Sequence, residues 1–236
     1  MPDLKVINGF QDGKILLIDK DYSWTSFDAV NKIRILLKNR LGIKKIKVGH
    51  AGTLDPLATG LIIVCTGKMT KQINFYQDLE KEYEAVLKLG ETTPSFDLES
   101  QVDNTYPTEH ISETSVLNVI NKFIGETDQV PPLFSAKYIN GTRAYEYARK
   151  GSNLELKAQK IKISSIELIL FDLPFVTLRV NCSKGTYIRS LARDIGQALD
   201  SGAHLTGLRR TRIGEFDLKN AVTLHEFEKS LGSFET

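Results

Sequence analysis

Apolar and polar positions along the chain predict strands and helices in irregular alternation. Lys14 to Asp19 (Lys-Ile-Leu-Leu-Ile-Asp) is a short apolar run of strand length. Thr25 and Asp28 have the Thr-x-x-Asp form of a capping box, which satisfies free amides at a helix start. Phe27, Val30, Ile33 and Leu37 then recur at helical spacing, and Gly42 supplies a stop. Leu61 to Thr66 predicts a buried strand, and Thr70 to Tyr76 a short helix. Tyr83, Ala85, Leu87 and Leu89 alternate with Glu82, Glu84 and Lys88, the pattern of a strand with one buried face.

Ser112 to Gly125 predicts an amphipathic helix through Val116, Val119, Ile120 and Phe123, and Val130-Pro131-Pro132 breaks the pattern. Asn140-Gly141 signals a turn. Ala144 to Lys150 predicts a short helix ended by Gly151. Ile161 to Phe171 and Phe175 to Cys182 predict two successive strands. Ser183-Lys184-Gly185 makes a turn, and Thr186 is placed to cap a helix running to about Leu199. Gly207 to Phe216 predicts a last strand. Several strands follow one another directly, so the class is α+β with a mixed, mainly antiparallel sheet, not a doubly wound parallel one. No repeat or linker divides residues 1–236, which predicts a single domain. Residues 1–12 and the tail after Lys229 are expected to fray.

Composition is that of an ordinary globular chain, with 41% hydrophobic and 25% charged residues in 236. No apolar run approaches the roughly 20 residues a membrane helix needs, and Met1-Pro2-Asp3-Leu4-Lys5 lacks the layout of a signal peptide. Cys65 and Cys182 both sit in apolar runs, which predicts buried free thiols in a reducing compartment and hence the cytoplasm. Net charge is only +2, but it is segregated. Lys32, Arg34, Lys38, Arg40, Lys44, Lys45 and Lys47 follow one another with no acidic residue between. Lys184, Arg189, Arg193, Arg209, Arg210 and Arg212 form a second basic group. Such segregation builds either two solvated helix faces or a positive surface suited to a phosphate backbone.

Several cofactor motifs fail. Gly60 to Lys68 has the wrong spacing for a phosphate-binding loop, and Met69 stands where Ser or Thr should follow the lysine. Gly-x-Gly-x-x-Gly does not occur. His225-Glu226 lacks the second histidine of a zinc helix, and the cysteines and histidines have no metal-ligand spacing. Neither metal nor cofactor is signalled, so the expected chemistry is that of side chains alone.

The richest stretch is Gly49-His50-Ala51-Gly52-Thr53-Leu54-Asp55-Pro56-Leu57-Ala58-Thr59-Gly60. It sets one carboxylate in a tight turn beside a histidine, just before the apolar run at 61–65. Asp55 precedes a proline and is therefore biased toward an extended backbone, while Pro56 suits the first position of a short helical turn. The spacing leaves two readings open: a cap for that turn, or a carboxylate held rigidly for chemistry.

The stretch closely resembles the catalytic motif of the TruB family of tRNA pseudouridine synthases. Further matches follow in order: Lys81-Glu82-Tyr83; Pro131-Pro132-x-Phe134-Ser135-Ala136 with Gly141, Tyr145 and Ala148-Arg149; Lys184-Gly185-Thr186-Tyr187-Ile188-Arg189; and Leu208-Arg209-Arg210. The resemblance implies the pseudouridine synthase fold, a central sheet flanked by helices with an active-site cleft. It implies isomerisation of uridine to pseudouridine at position 55, in the TΨC loop of tRNA, with the target base flipped out. By the same resemblance Asp55 is the catalytic carboxylate, Arg189 pairs with it, and Tyr83 stacks on the uracil. The resemblance does not choose between attack on the ribose, attack on the base and proton transfer. His50 would occupy space within the RNA loop, Tyr187 and Leu208 would line the uracil pocket, and Lys20 would lie near the active site. Lys44, Lys45, Lys47, Arg209 and Arg210 would contact phosphates, giving affinity without reading sequence.

Two departures from the family pattern stand out. Asp21 follows Lys20 where the family usually has proline. The chain stops soon after Val222-Thr223-Leu224, too early for the PUA domain that bacterial members commonly carry, so affinity for the tRNA arm is expected to rest on the catalytic core. Nothing in the sequence calls for an oligomer, and a monomer is expected. The rival expectation is an RNA-binding or RNA-folding protein whose role does not depend on catalysis.

Overall fold

Thr25 opens the first long helix as its spacing predicts. Its hydroxyl accepts from the Asp28 N–H at 3.0 Å, and Asp28 accepts from the Thr25 N–H at 2.9 Å. Gly42 ends that helix at φ +65°, a conformation open to glycine. The structure, a computed structural model, describes residues 9–135, 137–139, 141–150, 154 and 156–232, with only the backbone at 139.

In chain order the described residues form β1 (Ile15–Lys20), α1 (Ser26–Leu41), β2 (Val48–His50), β3 (Thr59–Thr66), α2 (Ile73–Asp78), β4 (Lys81–Leu89), β5 (Glu91–Thr92), β6 (Asn104–Thr105), α3 (Glu113–Asn121) and β7 (Gly125–Gln129). There follow β8 (Tyr138–Ile139), β9 (Thr142–Arg143), α4 (Ala144–Arg149), β10 (Gln159–Asp172), β11 (Phe175–Cys182), α5 (Ile188–Ala198), β12 (Ala203–Ile213), β13 (Phe216–Asp217), β14 (Val222–Thr223) and α6 (Leu224–Gly232). Contacts divide the chain into two compact units, Met1–Glu82 with Arg209–Thr236, and Tyr83–Leu208. The strands β4 and β12 contribute to both.

In the first unit the strand order is β14-β1-β3-β12, with β2 paired to β3 and β13 to β12. β1 and β2 run antiparallel to β3, whereas β14 is parallel to β1 and β12 parallel to β3. Leu61, Ile62, Ile63, Val64 and Cys65 of β3 are all fully buried. A continuous apolar run is what a strand covered on both faces requires. Burial pushes the Cys65 thiol up to about 11, so it stays protonated and inert. α1 packs on β2 and α6.

In the second unit the order is β12-β4-β11-β10-β7. β10 runs antiparallel to both β11 and β7. β4 alternates without a break, burying Lys81, Tyr83, Ala85, Leu87 and Leu89. α3 buries Val116, Val119 and Ile120 and packs on β10 and α5. The class is therefore α+β with a mixed, mostly antiparallel sheet.

Several expectations need correction. Phe27 is 63% exposed, because the buried stripe of α1 runs through Ser26, Ala29, Val30, Ile33, Leu36, Leu37 and Leu41, and Phe27 lies a hundred degrees off it. Thr186 does not cap α5: the cap position is Tyr187, with no side-chain cap, and the Thr186 hydroxyl donates back to the Ser183 carbonyl at 3.0 Å. The predicted helix at 70–76 begins as a 3-10 turn over Gly67–Gln72. Gly125 opens the strand β7, not the end of a helix. Residues 9–12 are helical, with Phe10 buried and its carbonyl accepting from Thr66 Oγ1 at 2.9 Å. At the other end α6 persists to Gly232 with Leu231 buried. Asn140, Gly151, Ala136 and the outermost expected fraying, at 1–8 and 233–236, lie outside the described residues.

Candidate active site

The Asp55 turn sits between β2 and β3, and every side of it is held by backbone hydrogen bonds. The Ala51 N–H donates to the Ile63 carbonyl at 2.8 Å, anchoring the entry to the strand pair. The Ala58 N–H donates to the Asp55 carbonyl at 3.1 Å and closes the turn. Pro56 holds the second position, where its fixed φ is already that of the turn. Gly52 stands at φ +96°, which no other residue adopts cheaply.

Three side chains then fix the turn. Ser26 Oγ accepts from the Leu54 N–H at 2.9 Å and donates to the Leu54 carbonyl at 3.2 Å, satisfying both backbone groups of one residue. The Lys20 ammonium donates to the carbonyls of Asp21 at 2.9 Å, Trp24 at 2.6 Å and Pro56 at 3.4 Å. Arg210 donates from Nε to the Leu61 carbonyl at 2.7 Å, from Nη2 to Gly52 at 3.2 Å and from Nη1 to Thr53 at 3.4 Å. Asp55 itself is half-buried. Its carboxylate is thus carried on a turn whose backbone is tied to β1, α1 and β12.

This geometry corrects one sequence expectation and sharpens another. Arg210 is 1% exposed, so it cannot reach an RNA phosphate. Hydrogen bonds to a charged group contribute about 1.5–3 kcal/mol each, against about 0–1 for a surface ion pair. Holding three carbonyls is therefore the larger use of this guanidinium. Lys20 lies beside the Asp55 turn, as expected, but it is fully buried and spends its ammonium on the backbone carbonyls of the turn and its flank. Ser26, which sequence reasoning missed, has no motif of its own: a serine in the first helical turn reads as an ordinary helix start.

Charges around the turn are tuned by burial. Burial pushes the Lys20 ammonium down to about 8, with Asp55 beside it pulling the other way and Arg210 adding to the fall. Burial also holds the His50 imidazole below its usual range, opposed by the Gly52 backbone and aided by Arg210, so His50 is neutral at pH 7. The Lys20 value gives a pH prediction of unusual form. As pH rises through about 8, Lys20 loses its proton in the folded protein, and a cation that favours ionised Asp55 disappears. Activity is expected to fall there. The unfolded chain keeps that proton up to about 10.5, so the contribution of Lys20 to stability rises over the same window. A single-turnover rate profile paired with thermal melts checks both signs; a rate that stays level well above pH 8 would remove the Lys20 charge from the account.

The second unit places Arg189 on the first turn of α5, 4% exposed. It is no solvated helix cation. Its Nη1 lies 3.4 Å from Asp97 Oδ2 and donates to the Ser95 carbonyl at 3.3 Å, while Nη2 donates to the Phe134 carbonyl at 2.9 Å. Asp97 is itself fixed by the Ser95 hydroxyl at 2.6 Å and the Glu99 N–H at 2.9 Å. The loop at 95–99 was not singled out in the sequence, since Ser, Asp and Glu in a turn are commonplace. Tyr83 is 8% exposed on β4, and Leu208 is half-buried on β12. Tyr187 is half-buried, its backbone held on both sides by the Gln129 amide at 2.8 and 3.1 Å. Lys20, His50, Asp55, Arg209 and Arg210 belong to the first unit, and Tyr83, Tyr187, Arg189 and Leu208 to the second.

Of the expected phosphate contacts, Lys44, Lys45 and Lys47 are exposed and free to meet a polyanion. Arg209 is half engaged: it bonds Asp19 at 2.7 Å and Thr59 at 3.1 Å yet keeps 42% of its side chain in solvent. No helix among the described residues is long and apolar enough to cross a membrane.

Residues 38–188 match the model of the TruB family pseudouridylate synthase N-terminal domain, and residues 189–235 that of the tRNA pseudouridylate synthase B C-terminal domain. A protein named tRNA pseudouridine synthase B from Phocaeicola vulgatus is 57% identical over 222 residues, 94% of either chain. One of the same name from Flavobacterium johnsoniae is 53% identical, over 94% of this chain and 97% of its own. Among solved structures, the archaeal box H/ACA sRNP Nop10-Cbf5 complex superimposes with a TM-score of 0.70 at 28% identity, covering 98% of this chain and 57% of that one.

Proposed function

Since the chain belongs to the TruB family of pseudouridylate synthases, we propose that it isomerises uridine to pseudouridine at position 55, in the TΨC loop of tRNA. The observation that carries this reading is the identity of 57% along 94% of both chains with a protein named tRNA pseudouridine synthase B. The N-glycosidic bond breaks, the uracil turns, and its C5 bonds to C1′ of the ribose; the C5 proton passes to solvent and N1 gains a proton, so the composition is unchanged. Asp55 is the catalytic carboxylate, and its fixed turn supports that role, since an ionised group must be held where charge develops. The sequence resemblance assigns Tyr83 and Arg189 catalytic roles, and Tyr187, Leu208 and His50 roles in binding the nucleotide. Extruding the base costs a few kcal/mol, which favours a preformed rigid site. The exposed lysines at 44, 45 and 47 supply phosphate contacts, and the enzyme works as a monomer on the T arm in the cytoplasm.

Tritium release from C5-labelled uridine in an unmodified tRNA transcript tests the reading. Release equivalent to one site, absent with Asp55→Asn and lost when the target uridine is replaced by cytidine, is the expected result. No release despite measurable tRNA binding would overturn it and favour a role in RNA folding.

A further inference from the structure

We propose that Tyr22 and Phe27 form an aromatic platform beside the Asp55 turn, stacking on unpaired RNA bases that flank the target nucleotide. The inference rests on the activity proposed above. Both rings are held in water, Tyr22 at 53% and Phe27 at 63% exposure. Both are carried on backbone tied directly to the turn. The Ser23 N–H, next to Tyr22, donates to the Pro56 carbonyl at 2.9 Å. The Lys20 ammonium holds the carbonyls of Asp21 and Trp24, on either side of Tyr22 and Ser23. Ser26, next to Phe27, bonds both backbone groups of Leu54. The residues before and after Asp55 are therefore each bonded to a residue adjacent to an exposed aromatic ring.

The local charge says which part of an RNA fits. Asp21 and Asp28 are exposed beside the rings, and the Thr25 hydroxyl and backbone hold the Asp28 carboxyl below its usual range, so it is ionised. These two carboxylates, each next in the chain to one of the rings, disfavour phosphate and leave the π faces as the attractive surface. Unpaired bases stack on aromatic side chains with little regard to sequence. The Ser23 and Ser26 bonds fix the backbone that carries both rings, so only side-chain rotamers need ordering when RNA arrives. Ser23 adopts φ +67°, an uncommon conformation for a residue with a side chain, which the Pro56 bond maintains.

The test uses a T-arm stem-loop RNA with 2-aminopurine next to the target uridine. Tyr22→Ala and Phe27→Ala are each expected to weaken binding on the order of tenfold and to lose much of the fluorescence quenching seen with the unaltered protein. Tyr22→Phe keeps the π face and should retain both. Phe75→Ala removes another exposed ring, 61% in solvent and packed edge-on against Tyr76, and should change neither. The slope of log Kd against log salt should stay constant across the set, because stacking releases no counterions. Wild-type affinity and quenching in both alanine variants, or equal losses in Phe75→Ala, would overturn the platform. Conversion of uridine is scored with the unaltered protein in parallel. If that fails, the activity itself is refuted; if it succeeds while the variants behave as wild type, only the platform is.

Discussion

Asp55→Asn is expected to reduce single-turnover conversion by about 10^4-fold or more, while tRNA affinity stays nearly unchanged. The reason lies in what holds the turn. The bonds from Ser26, Ser23, Lys20 and Arg210 all reach backbone atoms of residues 52–56. The Asp55 carbonyl is closed on the Ala58 N–H whatever the side chain. Asparagine has the same shape and leaves these bonds in place, so the variant removes charge and basicity but not geometry. Filter binding and rapid-quench conversion on one preparation measure the two quantities. Parallel loss of binding and turnover would mean that the side chain serves the structure.

Arg189→Ala is expected to be far more damaging than Arg149→Ala. Arg189 is buried against Asp97, and removing one member of a buried pair costs about 3–5 kcal/mol because the other charge is left behind. The Ser95 and Phe134 carbonyls lose a donor as well. Activity should fall by roughly a hundredfold or more even when corrected for the folded fraction, since losing one positioned donor from an active site costs about that much. Arg149 keeps 65% of its side chain in solvent and pairs with Glu99 at 3.3 Å, a bond worth about 0–1 kcal/mol. Thermal melts and kcat for the two variants decide the matter. Equal, modest effects would show that Arg189 is dispensable to the site.

What the sequence made legible was chiefly what apolar periodicity and local hydrogen bonding determine. The alternation in β4, the run in β3 and the capping box at Thr25 emerge at the expected places because each is a local cause with a local effect. β11 spans Phe175–Cys182, as its pattern predicts. β7 escaped notice because Gly-Glu-Thr-Asp-Gln carries no apolar pattern; it exists through its backbone pairing with β10. The capping box of Thr223 and Glu226 at the start of α6 was a readable signal that went unused. The site divides along the same line. Asp55 stands out by motif. The true positions of Lys20 and Arg210 were hidden, because a cation's residue type does not say whether it points to solvent or to a backbone carbonyl elsewhere in the fold, as Lys20 does to Pro56 and Arg210 to Gly52.

At Gly60 the strands β3 and β12 meet in parallel, with Gly60 opposite Arg210. Gly60 has φ +104°, and a Cβ there would lie 2.3 Å from the Arg210 carbonyl oxygen. The absence of a side chain sets how near the two backbones come, and the Arg210 guanidinium reaches from that junction to Gly52 and Thr53. Catalytic loops usually open more readily than the elements that carry them. Here the bonds that tie the loop to β1, α1 and β12 should deny it an independent opening. The amides of Ala51, Leu54 and Ala58 should exchange deuterium as slowly as those of β3, so that the Asp55 loop and the sheet open in one cooperative event.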